Sequence, residues 1–342
     1  MKAGVVVEVG KLETWDVADL PEPGEYEALC ELIYGATCRG TDLNVIAGRH
    51  RIPVAYPTIL GHESIGRVVK VGSKVKSFKV GDYIARVGAP IGVQPGMNAS
   101  WGGFAQYGMA KDHFEMKKAG IPEDQWAKNT VNKVIPPEID VKQMPMIITW
   151  RETRSYLNRI GVKKGTKLLI LGGGANALAH AENAHNMGAY ICQTIDMARA
   201  DVFKKAGVDF LIDFRAENLV EELKKACPEG FDILIDGVGY ASSVNQVLPL
   251  MKPNFTVGVY GWAERFHYAL NPFLSEHSVR CYCDGYDEAE SHDEVVADML
   301  AGKLDASLYY DLEHPVPLTQ IADAYERLRK DEALKFLIDL QK

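Results

Sequence analysis

The chain has 342 residues, 47% of them apolar and 25% charged, with a formal net charge of −8. That length suffices for about two domains with cores of their own. The acidic balance argues against a nucleic-acid or anionic-membrane surface, either of which needs clustered Lys and Arg. No apolar run approaches the ~18 residues of a membrane span. Met1 leads straight into the strand-like AGVVVEV without a basic leader. A cytoplasmic protein is expected, with neither nucleic acid nor membrane as partner.

Residues 1 to about 115 read as short alternating strands punctuated by Gly, Pro and Asp: AGVVVEV, YEALCELIY, ESIGRVVKVG, DYIARVG and GGFAQYGMA. Gly61, Gly66, Gly72 and Gly81 mark tight turns between them, and the spacing predicts a β-rich, partly barrelled domain. Residues 117–137 carry no clear pattern. The cysteines Cys30, Cys38, Cys192, Cys227, Cys281 and Cys283 include no CxxC pair, and most are expected to be buried small hydrophobes.

The most informative stretch is KLLILGGGANALAHAENAHNMGAYICQTID, residues 167–196. An apolar run breaks into three glycines, continues as a helix-like segment to Met187, stops at Gly188 and resumes as a second apolar run. The pattern predicts strand, turn, helix, strand. Gly172 lets the chain reverse sharply and Gly174 lets backbone N–H groups approach a pyrophosphate. The positive end of the helix that follows, with Ala175, Asn176 and Ala177 in its first turn, attracts that anion.

Ala177 stands where G-x-G-x-x-G has its third glycine, a position that only has to let helix and strand pack closely. Asp196 lies 24 positions after Gly172 (196 minus 172) and is the acid expected to hydrogen-bond a ribose hydroxyl. Asp236 and Gly237, in the later FDILIDGVG run, complete the predicted cofactor set. Apolar runs at 167–171, 190–195, 209–213, 231–237 and 255–261 alternate with helical segments, which predicts a parallel sheet with crossover helices.

The GHE…G.V..VG..V..F..GD run at 61–82 resembles the medium-chain dehydrogenase/reductase superfamily, and in particular its zinc-type alcohol dehydrogenases. GGFAQY, GVKKGTKLLILGGG, KKAGVDFLID, FDILIDGVG, AGKLD and IADAYERLRKDEALKFLI extend the likeness over almost the whole chain. The resemblance implies an α/β protein: a GroES-like β-rich catalytic domain at 1–152 and 291–342, and a Rossmann doubly wound parallel sheet at 153–290. It implies an NAD(P)-dependent oxidoreductase that moves hydride between nicotinamide and an alcohol, polyol or carbonyl compound, working as a homodimer or homotetramer. The alternatives are a zinc-independent reductase of the same fold, with Thr41, Tyr56 or His62 supplying the proton, and a non-catalytic nucleotide-binding relative.

In the zinc enzymes of that family a Cys, a His-Glu pair and a third Cys, Asp or Glu surround the metal. Carried over motif by motif, Cys38, His62 and Glu63 are the possible zinc ligands here. The sequence departs from the pattern, because the usual C-x-[ST]-D appears as CRGTD. Counting forward from the preceding strand puts Cys38 at the ligand position, whereas counting back from Thr41-Asp42 puts Arg39 there, pairing with Glu63 in place of a metal.

The third ligand falls near Ile147 or Ile148, which cannot ligate, with Glu152 the nearest acid. The usual relay histidine is Asn44, which leaves Thr41 for any relay. With two supports missing, the arginine or vacant arrangement is the one favoured, and the lobe 88–103 has no cysteines for a structural zinc.

Asp196 favours NAD, since a carboxylate repels a 2′-phosphate. Relatives usually have two more residues before their A-G-x-D, which would put Thr194 in the acid's place, with Arg199 nearby to accept NADP. Tyr56, Trp101, Trp150 and the pair His50-Arg51 fall in segments that border the cleft in relatives. The substrate itself stays open.

Overall fold

The structure, a computed structural model, describes residues 1–264 and 266–342. The chain divides into two compact units, residues 1–148 with 305–342 and residues 149–304. The expected divisions at 152 and 290 are displaced. The helix His292–Leu300 belongs with the second unit, because Glu294 and Asp298 pair with Arg154, at 2.8 and 3.2 Å.

The first unit is β-rich. Strands Lys11–Asp16, Lys2–Glu8, Thr58–Ile59 and Asn98–Ala99 form one sheet in that order. In a second sheet Val316–Pro317, Leu337–Asp339, Glu27–Ala36, Glu63–Val71, Tyr83–Ala85 and Val134–Ile135 follow one another, with Tyr107–Lys111 also paired to Glu27–Ala36. The strands alternate inward and outward residues, and the inward set meets the helix Ile321–Arg329 in one core around Phe104, Tyr325, Leu32 and Ile338. The unpatterned 117–137 resolves into the end of the helix His113–Lys118, two short 3₁₀ turns and the strand Val134–Ile135.

The second unit is a six-stranded parallel sheet in the order Phe210–Asp213, Tyr190–Ile195, Lys167–Leu171, Phe231–Asp236, Met251–Val259, Val279–Tyr282. These are the expected apolar runs plus one further edge strand, and buried strands of this kind read as continuous rather than alternating hydrophobics. The strand order reverses between Lys167–Leu171 and Phe231–Asp236, the switch point outside whose carboxyl ends ligands bind in sheets of this type. Among the described residues no helix is long and apolar enough to cross a membrane.

Candidate active site

The centre of the first unit is built where two strands end. Strand Glu27–Ala36 runs into Thr37 and Cys38, and the helix Thr41–Ile46 starts at once, bringing Asp42 back so that its Oδ2 accepts from the Cys38 N–H at 2.9 Å. The neighbouring strand Glu63–Val71 opens with His62 just before it. Gly61 precedes that pair at φ +96°, where a Cβ would sit 2.6 Å from the Phe104 ring, so only glycine lets the chain deliver His62 here.

Cys38, His62 and Glu63 are all buried, and their ligating atoms lie within 4.8 Å of one another. Asp42 orients the histidine, its Oδ1 3.1 Å from His62 Nδ1, while Tyr325 donates its hydroxyl to the other oxygen. His62 Nε2 is 3.8 Å from Glu63 Oε1. Burial, the largest effect on His62, pulls its pKa down. Asp42 and then Cys38 outweigh it, so the value stands well above that of an ordinary histidine. The pocket therefore favours positive charge, and in their deprotonated forms a thiolate, a carboxylate-oriented neutral imidazole and a carboxylate are a donor set that fits zinc.

Arg39 does not enter this site. Its side chain is 45% exposed and pairs with Asp331, not Glu63, which corrects the arginine arrangement favoured from the sequence. The extra residue of CRGTD is absorbed in the turn Arg39-Gly40 before the helix, leaving Cys38 inward. Glu63 is instead held by Lys335, whose Nζ lies 2.6 Å from each carboxylate oxygen and 3.3 Å from the Thr37 carbonyl.

Sequence reasoning missed Lys335, and it used Asp42 only as a counting mark. The signal for the first was a lone cation inside the apolar LKFLIDL. Thr41 is half-buried at the first position of its helix, and Asn44 bonds back to the Gly40 carbonyl at 2.6 Å. Tyr56 donates to the Val45 carbonyl at 2.5 Å, which commits its proton to the backbone.

Trp101 covers the cluster, its ring centroid 5.2 Å from that of His62 and 5.7 Å from that of His50. His50 and Tyr56 also line a small cavity with Val9, Gly48, Ile52, Pro53 and Val54, and Arg51 beside them is exposed. Trp150 is not a pocket wall: it is fully buried and donates to Glu182 at 2.9 Å. Ile147 and Ile148 are fully buried, and Glu152, in the second unit, faces the Tyr260 hydroxyl at 3.4 Å.

The second unit supplies the glycine turn. Gly172, at φ +118°, donates to the Thr194 carbonyl at 3.1 Å. Gly174 caps the helix Ala175–Asn186, and a Cβ on it would meet nothing within 4 Å, so open space lies where an anion would approach. Asn176 is bonded to the Tyr260 hydroxyl at 2.9 Å. A Cβ on Gly237 would lie 2.9 Å from the Leu171 carbonyl and 3.6 Å from Ala177, which is the close helix–strand packing expected of the motif's third position.

Asp236 departs from its predicted role as a cofactor contact. It is fully buried and its carboxylate accepts from the N–H groups of Val238 and Gly239 and from the Tyr268 hydroxyl, at 3.0, 2.7 and 2.8 Å. Burial raises its pKa, although the hydrogen bonds from Gly239, Tyr268 and Val238 oppose the rise. Asp236 shapes the turn after its strand. Asp196, by contrast, is half-exposed: one oxygen caps the turn at Ala198 and the other pairs with Arg215 at 3.1 Å. Thr194 is buried beneath it, and Arg199 reaches the Gly173 carbonyl at 3.2 Å.

Two families match the sequence of this chain. Residues 24–121 match the alcohol dehydrogenase GroES-like domain, and residues 172–290 match the zinc-binding dehydrogenase family. The chain belongs to the medium-chain dehydrogenase/reductase superfamily and is an alcohol dehydrogenase-like oxidoreductase. It is 26% identical to a sorbitol dehydrogenase of Ovis aries over 339 residues, covering 93% of this chain and 91% of that one. A protein of Sinorhizobium meliloti 1021 solved bound to NADP superposes with a TM-score of 0.80 at 22% identity, covering 99% and 98% of the two chains. An alcohol dehydrogenase of E. coli CFT073 solved with NADH gives 0.78 at 18% identity and 99% of both chains.

Proposed function

We propose that the protein is an NAD(P)-dependent dehydrogenase that interconverts a small alcohol or polyol and its carbonyl compound, with Cys38, His62 and Glu63 holding a zinc ion. The observation that carries this reading is the convergence of those three side chains, with His62 turned by Asp42 so that Nε2 faces Glu63. Zinc at that place supplies Lewis acidity toward the substrate oxygen, and the nicotinamide supplies the hydride acceptor or donor. The GroES-like unit is the catalytic domain and the parallel-sheet unit the dinucleotide-binding domain.

The chain's own residues do the rest. Asp42 fixes the tautomer and orientation of His62. Trp101 shields the cluster from water. Thr41 offers the hydroxyl that relays the substrate's proton, since Asn44 cannot exchange one and Tyr56 is tied to Val45. Gly172, Gly174 and the N–H groups of Ala175, Asn176 and Ala177 receive the pyrophosphate. Asp196 beside Arg215 and Arg199 favours NAD while leaving NADP within reach.

The test is a metal analysis of protein purified without added metal, together with NADH and NADPH titrations and a panel of alcohols and polyols. Near-stoichiometric zinc that is lost together with activity in Cys38→Ser is the expected result. A second reading, a zinc-independent reductase, is favoured by the engagement of Glu63 with Lys335. Zinc-free protein that reduces carbonyl substrates at an undiminished rate would establish it. Gly174→Asp is expected to abolish cofactor binding without unfolding the protein, because the added side chain enters open space but opposes the pyrophosphate charge. An unchanged NADH affinity would sink the assignment of this turn.

A further inference from the structure

We propose that Lys335 is an internal cation that competes with the metal for Glu63, so that zinc affinity at this site is set by the breaking of the Lys335–Glu63 pair. The inference rests on the zinc reading of Cys38, His62 and Glu63 and goes beyond it. Lys335 and Glu63 side chains are 1% and 2% exposed, and the ammonium lies 2.6 Å from both carboxylate oxygens. Its third donor direction meets the Thr37 carbonyl at 3.3 Å, so all three donors of the ammonium have acceptors.

The backbone holds the lysine there from both sides. The Lys335 N–H donates to the Tyr309 carbonyl at 3.1 Å and the Phe336 N–H to Thr37 Oγ1 at 2.9 Å. Thr37 in turn donates its N–H to the Phe336 carbonyl at 3.0 Å. The residue before the Cys38 ligand and the residue after Lys335 are therefore stitched together.

Glu63 Oε1, which Lys335 occupies, is also the oxygen that faces His62 Nε2 at 3.8 Å. An ammonium and a divalent cation thus claim the same oxygen. A carboxylate buried with no cation is strongly unfavourable, whereas one shared by two cations sets them against each other across a few ångströms. Without metal, Lys335 neutralises Glu63 and the pocket stays assembled. Metal binding has to weaken or displace that pair, which lowers zinc affinity below what the three ligands alone would give.

The experiment compares the zinc dissociation constants of the full-length protein, Lys335→Met and Lys335→Arg by competition with a chromophoric chelator, and records thermal midpoints with and without zinc. Lys335→Met is expected to bind zinc about tenfold tighter or more, the scale of removing one close like-charge neighbour. Its zinc-free form should melt lower than the native protein, and zinc should restore the loss. Lys335→Arg keeps the charge and should stay near the native affinity. Where Lys335→Met does not fold, Lys335→Gln, whose amide still donates to Glu63 without a charge, takes its place with the same expectation. Zinc affinity that is unchanged or weaker in the neutral variants overturns the competition while leaving the zinc reading intact. Failure of the native protein and every variant to bind zinc overturns both.

Discussion

At the end of the strand Tyr190–Ile195, Asp196 pairs with Arg215, which is itself bonded to Asp213, while Arg199 reaches back to the glycine turn. Removing the carboxylate lifts its repulsion of a 2′-phosphate and leaves two guanidinium groups nearby. Asp196→Ala is expected to improve NADPH over NADH by about 1–2 kcal/mol, which the ratio of the two dissociation constants measures. If the ratio does not move, Asp196 is a turn residue only.

His180 makes a different kind of statement. It is fully buried, its Nδ1 on the Asn176 carbonyl at 2.8 Å and its Nε2 without a partner, and burial lowers its pKa from 6.5 to about 4 despite that backbone bond. Above pH 6.5 both folded and unfolded forms are neutral. As pH falls from 6.5 to about 4 the unfolded chain takes up a proton that the folded one refuses, so stability is lost across that window. The full loss is about 3 kcal/mol. Urea unfolding at a series of pH values should show the slope, and His180→Gln should flatten it. The same slope in both proteins would assign the pH dependence elsewhere.

Among single residues, Cys38, His62 and Glu63 were legible because a motif carries them. Their partners Asp42 and Lys335 were not: the choice between Cys38 and Arg39 depended on where one extra residue of CRGTD was absorbed, and Lys335 lies 272 positions from Glu63.

At the scale of elements, tight backbone contacts in the segment from Gly88 to Gly103 help place Trp101 over the cluster. A Cβ on Gly88 would fall 1.9 Å from the Trp101 carbonyl, and Trp101 itself sits at φ +67° between that contact and the bond from Ala89 N–H to the Gly102 carbonyl, at 2.9 Å. Gly88→Ala is expected to destabilise the protein by about 2–4 kcal/mol, read from the urea midpoint, because backbone and not a flexible side chain must yield. A change below the error of the midpoint would show that the loop adapts.

Whole strands of the parallel sheet could be read directly from 167–171, 190–195 and 231–237, since burial on both faces makes them predominantly apolar, with Gln193, Thr194 and Asp232 among the exceptions. Short pieces such as Thr58–Ile59, Asn98–Ala99 and Val316–Pro317 carry too few residues to show any period, and they exist because neighbours pair with them.

On the scale of the molecule, the parallel sheet ends in Val279–Tyr282, and among the described residues no further strand pairs with its outer side. An open edge of unpaired N–H and C=O groups is a template for another strand, so we expect at least a dimer formed across this edge about a two-fold axis. Light scattering at micromolar concentration that returns a monomer would contradict it. The two-unit arrangement was legible from composition and motifs, but its boundaries were not: they depend on Arg154 drawing the helix His292–Leu300 to the second unit, a side-chain pairing that no local pattern announces.

The buried pair between Glu63 and Lys335 also imposes an order on the birth of the protein. Synthesis delivers Cys38, His62 and Glu63 early, yet the strand Leu337–Asp339, which pairs with Glu27–Ala36, emerges only after the whole of residues 149–304 has left the ribosome. The parallel-sheet unit is contiguous and can fold first, domains generally folding as units during translation. The β-rich unit must wait for Lys335 before Glu63 can take the buried partner it has in the folded protein. Closing so long a loop makes this contact slow to form.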